Sequence, residues 1–309
     1  MKRRTYRALI CLAVLAIIIA VGIAGISLYQ KNKPQETFSG SISETSEENS
    51  SGLPEDSYFE ITFFDVGEGD STLVKCDGQI MLIDGGLPGN SSFLYSYLMQ
   101  HGIDYLDYIV CTHAHEDHVG GLSGALIYAS VGTVYAPVTE FDSRAFRSFV
   151  KYLGKQGKEI TVPSAGDSIM LGSASVQIVG PVDMGLAAEN VNNTSIVLHI
   201  VYGETSFLVT GDAEAIEEES ILDAGYDIRS DVLRVGHHGS YTSTSDAFLK
   251  AVSPDYCVIS VGKDNAYGHP HDVVLDRIGE FGAIIYRTDL DGYIACTSDG
   301  ENVTFRTEK

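Results

Sequence analysis

"THAHEDHVGG", residues 112–121, places His113, His115, Asp117 and His118 within six positions. Imidazoles and carboxylates crowded this closely repel or lose solvation unless a cation organises them, so the stretch reads as a metal site. Its spacing implies a division of labour. Two histidines one residue apart in an extended turn can face one ion. The adjacent Asp117 and His118, at the start of a following helix, can face a second.

Working outward, short β-rich runs recur: "FEITFFDV", "STLVKC", "IMLID", "YIVC", "GTVYA", "ASVQIVG", "SIVLHIV", "SFLVT", "DVLRV", "YCVISV", "AIIYR" and "GYIAC". Many combine β-branched and aromatic residues and end at turn formers, the pattern of strands. Asp77-Gly78 in "KCDGQI" predicts a hairpin turn. Helix-like stretches lie between the strands at 91–101, 119–129, 143–156, 214–224, 245–252 and 272–281. The order predicts a mixed α/β fold with two sheets flanked by helices. Polar residues of interest fall at strand ends: Thr112 and His113 after "YIVC", Gly211 and Asp212 after "SFLVT", His237 and His238 after "DVLRV", and His269 in the loop after "YCVISV". Loops at one sheet edge can converge while the sheet holds them rigid, so one site is the economical reading.

The first 30 residues read differently. Lys2, Arg3, Arg4 and Arg7 precede an uncharged apolar run from Ala8 to Tyr29, long enough to cross a hydrocarbon core of roughly 30 Å as a helix. A cleaved signal peptide is the rival reading, but its apolar region is usually about 7–15 residues and Ala20 to Gly25 offers only a weak cleavage signal. Positive residues stay cytoplasmic, so either reading exports the chain beyond Tyr29. Residues 31–57 are rich in Ser, Glu and Gly and cannot bury enough surface to offset their ordering entropy, so they read as a flexible tether. Residues 58–309 form the working domain, large enough for a substantial core. Residues 1–57 carry six basic and six acidic residues, so the whole net charge of −22 sits on the domain. That balance opposes a broad phosphate-binding face. Cys76, Cys111, Cys257 and Cys296 match no thiolate zinc spacing and lie in apolar strand-like contexts, as unpaired core thiols do.

The pattern His113-x-His115-x-Asp117-His118 followed by Gly120-Gly121 resembles the signature of the metallo-β-lactamase superfamily. That resemblance implies an α/β fold of one kind, a four-layer αβ/βα sandwich, here preceded by one transmembrane helix. Asp84 in "LIDGG" and Asp212 in "LVTGD" match the superfamily's other two aspartates, the second of which usually bridges two metals. A narrower resemblance rests on "FFDVGEGDSTLV", "NNTSIVLHI", "FLVTGDAE", "DVLRVGHHGSYTSTS", "YGHPH" and "YRTDLDG", which look like the C-terminal hydrolase domain of ComEC-type DNA-uptake proteins. It covers nearly all of residues 58–300 and not the many-span channel of those proteins.

Carried over residue by residue, the resemblance implies His113, His115, Asp117, His118, Asp212 and His269 as ligands of two divalent ions, Zn²⁺ or Mn²⁺. Many members place a further histidine upstream of the bridging aspartate, where this chain has Asn190, Asn192 and Asn193. His237 or His238 fills that vacancy, one as ligand and the other behind it; the sequence does not choose between them. Asp117 is expected to orient the attacking water and Asp212 to bridge. Asp84, Asp65, Asn193 and Ser240 are supporting candidates. The "DVGEGDS" loop, with Asp65, Glu68, Gly69 and Asp70, either borders the site or is a turn capped by its own carboxylates. "SYTSTS" (Ser240 to Ser245) either offers hydroxyls to a substrate or caps the helix beginning near Asp246. Lys263, Asn265, Tyr267 and His271 are candidate substrate contacts, while His101 and His199 lie on other elements.

The expected function is a membrane-anchored extracellular metal-dependent hydrolase, a phosphodiesterase or DNA nuclease using a hydroxide activated by two metals. Its partners are a phosphodiester substrate, DNA by resemblance, and the membrane through the N-terminal helix. Arg144, Arg147, Lys151, Lys155 and Lys158 form either a local basic patch or one solvated helix face. The rival readings are a hydrolase of cell-envelope phosphodiesters, of choline-phosphate or teichoic-acid type, and a non-catalytic metal-dependent binding module. A β-lactamase proper fits less well without the upstream histidine.

Overall fold

Alternation decides which way each strand faces. In β1 (Phe59–Phe63), Phe59, Ile61 and Phe63 enter one buried layer, and Val74 of β2 (Thr72–Cys76) and Met81 and Ile83 of β3 (Gln79–Ile83) join it. Their neighbours Leu73 and Leu82 face the opposite way into a second layer. The computed structural model describes residues 53, 54, 56–185 and 190–309. The anticipated membrane span and all but the end of the tether lie outside the described residues. Among the described residues no helix is long and apolar enough to cross a membrane.

One sheet runs β15 (Val303–Thr307), β14 (Ile294–Ser298), β1, β2, β3, β4 (Tyr105–Val110), β5 (Ser130–Tyr135) and β6 (Ile160–Thr161). The other runs β13 (Ile284–Arg287), β12 (Tyr256–Ile259), β11 (Val232–Arg234), β10 (Thr205–Val209), β9 (Val197–Tyr202), β8 (Ala174–Gly180) and β7 (Ser168–Leu171). Both are mixed: β3, β4, β5 and β6 are parallel in the first, and β10 through β13 in the second.

Three buried layers account for a sandwich with helices outside. Between the sheets, Phe59, Ile61 and Phe63 meet Val176, Ile200, Phe207 and Val258. Outside the first sheet, Leu106 and Ile109 pack on the helices Ser91–Gln100, Leu122–Tyr128 and Arg144–Lys155 through Leu98, Leu122 and Phe149. Outside the second, Leu208, Leu233 and Ile259 pack on Ala215–Ala224, Asp246–Val252 and Asp272–Phe281 through Ile221, Phe248 and Ile278. Each such side chain contributes about 1.5–3 kcal/mol of burial. The four cysteines of the domain are free and buried in these layers.

The twelve predicted strands form, and the Asp77-Gly78 turn has both residues at positive φ, 50° and 83°, as a tight hairpin of β2 and β3 requires. Ser245 caps Asp246–Val252 by accepting from the Phe248 amide. Two expectations need correction. The helix expected over 119–129 is two, Glu116–Val119 and Leu122–Tyr128, broken at Gly120-Gly121. The strands β6, β7 and β15 were not anticipated.

The break at Gly120-Gly121 is forced by packing. A Cβ on Gly121 would lie 1.9 Å from the Gly85 carbonyl oxygen, and the Gly121 amide donates to the Gly86 carbonyl at 3.0 Å. The loop after β3 and the loop after β4 are thereby held backbone to backbone. Gly121→Ala is expected to destabilise the fold by about 3 kcal/mol, the upper end of ordinary overpacking. An unchanged thermal midpoint would show that the two loops part easily.

Candidate metal centre

The site sits at the carboxyl ends of β3, β4, β10, β11 and β12, where two parallel strand sets end on the same side. Asp84 follows β3 with φ 58° and is 1% exposed. Its carboxylate accepts from the Thr112 amide (2.8 Å), the Thr112 hydroxyl (2.6 Å) and His118 Nδ1 (2.8 Å). Burial pushes the Asp84 carboxyl up and the adjacent His118 opposes it. With Nδ1 so engaged, His118 presents Nε2 to Asp212 Oδ1 at 3.3 Å. This is the carboxylate–histidine arrangement that orients a ligand ring.

The "DVGEGDS" loop borders the site through its second half. The Asp70 amide donates to the Asp117 carbonyl at 3.1 Å, and a Cβ on Gly69 would lie 2.2 Å from that same oxygen. Asp65 turns away instead. Its carboxylate accepts from its own turn at the Gly67 amide (3.4 Å) and pairs with Lys309 Nζ (3.4 Å), so the supporting role expected of it is not its place in the fold.

From the second sheet, the Asp212 amide donates to Ser195 Oγ at 2.9 Å, which fixes the carboxylate's approach. His237 and His238 follow β11 with φ 48° and 53°, two successive left-handed residues that are not glycine. Such backbone costs about 1–3 kcal/mol per residue and persists where surroundings over-determine it. The turn brings both rings to one side, whereas an extended strand would point them apart. His237 Nε2 lies 3.8 Å and His238 Nε2 3.6 Å from Asp212 Oδ2. His238 Nδ1 donates to the Ser260 carbonyl at 2.9 Å. His237 Nδ1 faces Thr242 Oγ1 (3.1 Å) and Glu214 Oε1 (3.4 Å).

Asp212 is the meeting point. His113 Nε2 is 3.8 Å from its Oδ2 and 3.0 Å from His115 Nδ1. Asp117 Oδ2 lies 3.5 Å from His238 Nε2 and 3.9 Å from His118 Nε2. Donor atoms of Asp117, His118, Asp212 and His238 all fall within 4.8 Å of one another. Three of these atoms, His118 Nε2, His238 Nε2 and Asp212 Oδ1, are buried without a hydrogen-bond partner. Buried polar atoms are rarely left unpaired, so the donor set fits a divalent ion. His113 and His237 flank Asp212, and His115 sits against His113, a second nitrogen-rich group that makes this a candidate dinuclear centre.

The electrostatics agree. Burial resists charging His118, yet Asp212, Asp84 and Asp117 together hold its imidazole well above the usual range. Burial likewise opposes ionising Asp212, and His118 and His238 overcome it. His113, buried and beside His118, is held well below the usual range.

The remaining candidates divide. His269, expected as a ligand, has its ring against His237 (5.6 Å between centroids) and Tyr267 (5.6 Å), one step out from Asp212. Asn193 Oδ1 accepts from the Glu214 amide at 3.1 Å. Asn190 and Asn192 donate to the Glu214 carboxylate at 2.8 and 3.2 Å, so the asparagines that replace the upstream histidine hold Glu214 against His237. Ser240 Oγ accepts from Thr242 Oγ1 at 3.0 Å and reaches the site through it. Asn265 organises its own loop rather than offering a free contact, and Lys263 is exposed away from the cavity lining. Tyr267 lines the cavity, while His271 Nδ1 accepts from the Tyr241 amide at 3.2 Å. His101 stacks on Tyr97, and His199 Nε2 donates to the Arg229 carbonyl, both elsewhere.

Two residues escaped the sequence reading. Glu214 is one. Arg234 is the other: fully buried, it is bidentate to Asp70 through Nε (3.1 Å) and Nη2, donates to the Gly211 carbonyl, and lies 3.8 Å from Asp212 Oδ1. A lone Arg inside the apolar run "DVLRV" was the available signal, because a buried charge needs a partner.

This fold and this histidine–aspartate centre define a metallo-hydrolase scaffold, and the chain belongs to the metallo-beta-lactamase superfamily, which it matches over residues 64–263. Members are typically metal-dependent hydrolases. Among curated proteins it is 30% identical over 253 residues to ComE operon protein 3 of Bacillus subtilis (strain 168), covering 76% of this chain and 32% of that one. It is 34% identical over 236 residues to competence protein ComA of Neisseria gonorrhoeae, covering 75% of this chain and 31% of that one. The chain therefore spans about a third of the length of these relatives. Among solved structures, CmlA, a diiron beta-hydroxylase from Streptomyces venezuelae, superposes with a TM-score of 0.50 at 15% identity, over 80% of this chain and 54% of that one. That likeness is one of fold.

Proposed function

We propose that this protein is a metal-dependent phosphodiesterase acting on polynucleotide outside the cell, held at the membrane by residues 8–29. The observation that carries the reading is the set of unpartnered buried donors around Asp212 at the floor of a cavity of about 350 Å³ lined also by Glu116, Asn192, Tyr267 and His269. The motifs that resemble the hydrolase domain of DNA-uptake proteins favour DNA as the polymer, and the basic tip before the apolar run favours export.

Asp117, His118, Asp212 and His238 would hold one ion; His113, His115 and His237, with Asp212 shared, would hold the other. Divalent ions held there would supply activation of water at neutral pH and stabilisation of charge on a phosphoryl oxygen. The chain's own residues do the rest. Asp84 and Glu214 hold the His118 and His237 rings from behind, and the Ser260 carbonyl fixes the tautomer of His238. Asp117 is 30% exposed towards the cavity and is placed to orient water and carry a proton. The donor set suits Zn²⁺ or Mn²⁺.

The full-length protein, loaded with Zn²⁺ or Mn²⁺, is expected to cleave DNA and bis(p-nitrophenyl) phosphate. Cleavage of the small diester alone would move the substrate to envelope phosphodiesters, a reading the net charge of −22 favours. Metal uptake without turnover of any ester would sink the enzymatic reading. Within the same assay, His238→Ala should lower metal content more than His237→Ala, because His238 belongs to the four-donor cluster. Equal losses would mean that the two ion positions hold metal equally tightly.

A further inference from the structure

Two tyrosines stand bare, Tyr267 at the cavity with 68% exposure and Tyr241 further out with 65%. Tyr267 stacks on His269, with centroids 5.6 Å and planes 20° apart. His269 lies 4.9 Å from His271, and His271 5.0 Å from Tyr241. Inward, His269 stacks towards His238 at 6.3 Å. An unbroken run of rings thus leads from the candidate metal centre to both exposed tyrosines.

The loop beneath is ordered. Asn265 Oδ1 accepts from the Tyr267 and His269 amides at 3.1 and 3.0 Å, and Glu68 accepts from the Ala266 amide at 2.9 Å. A ring platform fixed in this way loses little freedom when something settles on it.

Charge narrows the occupant. The domain carries the whole net charge of −22, so it gains little affinity from phosphates by releasing counterions. Stacking needs no charge, tolerates any base, and contributes about tenfold or more in affinity per base. Duplex DNA hides its base faces, whereas an unpaired nucleotide offers them.

We propose that Tyr267, His269, His271 and Tyr241 form a stacking rim that receives unpaired bases of a single-stranded polynucleotide and leads the adjoining phosphodiester into the cavity. The proposal rests on the phosphodiesterase reading of that cavity, but it is tested by binding alone.

Fluorescence anisotropy on the full-length protein in EDTA, where no cleavage occurs, would compare a twelve-residue oligothymidylate with an abasic oligonucleotide of equal length and charge. The thymine strand is expected to bind about tenfold tighter or more. Tyr267→Ala and Tyr241→Ala should each erase much of that difference, while Tyr267→Phe should keep it. Equal affinity for the two strands, no binding of either, or a preference untouched by both alanine substitutions would overturn the rim. Base-dependent binding without cleavage by the metal-loaded protein would leave the rim standing and remove the phosphodiesterase reading.

Discussion

Asp212→Ala is expected to abolish metal uptake and to cut diester hydrolysis by more than about 100-fold, the upper end of what losing an outer partner costs a metal site. The expectation rests on position. Asp212 is 2% exposed, and its two oxygens lie within 3.8 Å of His113, His118, His237, His238 and Arg234. Asp117 and Asp84 each meet only part of that group. Without Asp212, four imidazoles and a guanidinium face one another with no central carboxylate, and no ion can be shared between the two nitrogen-rich sides. Metal analysis of the purified variant, with near-ultraviolet circular dichroism to confirm packing, is the measurement. Metal content equal to the parent would remove Asp212 from the centre. Asp65→Ala is the matched control, expected to change neither quantity because Asp65 pairs with Lys309.

What the sequence made legible, it did so by proximity. His113, His115, Asp117 and His118 share one loop, so their crowding is visible without any fold. Asp212, His237 and His238 were found because each follows a strong apolar strand. Glu214 and Arg234 were not, because their partners are distant along the chain: Asn190 and Asn192 lie 24 and 22 residues from Glu214, and Asp70 lies 164 from Arg234. The same logic governs the fold. Central strands such as β9, buried along nearly their whole length, read as apolar runs. The edge strands β7 and β15 are half exposed, so their alternation is diluted by polar residues, and two-residue β6 is too short to carry a period. His237 and His238 show a different limit. Which way two neighbouring rings point depends on φ, and two consecutive left-handed residues are chosen by surroundings rather than by local preference.

Arg234→Met is expected to cost about 3–5 kcal/mol, which for a domain of this size lowers the thermal midpoint by roughly 6–20 °C. Arg234 is fully buried and Asp70 only 3% exposed, so removing the guanidinium strands a carboxylate where water cannot reach it. The damage should be largely reversible by removing the other partner. Asp70→Leu combined with Arg234→Met should recover most of the loss, since a buried pair replaced by apolar side chains of similar volume is often neutral or better. A double variant no more stable than Arg234→Met would mean that the loss comes from the bonds to Gly211 and the packing of β11 rather than from a stranded charge. Metal affinity separates structure from function. Arg234 lies against both Asp212 and His238, at 3.8 Å and 3.4 Å, so the double variant should stay folded yet bind metal about 10–100-fold more weakly. If its metal affinity instead matches the parent, the buried pair serves the sheet and not the centre.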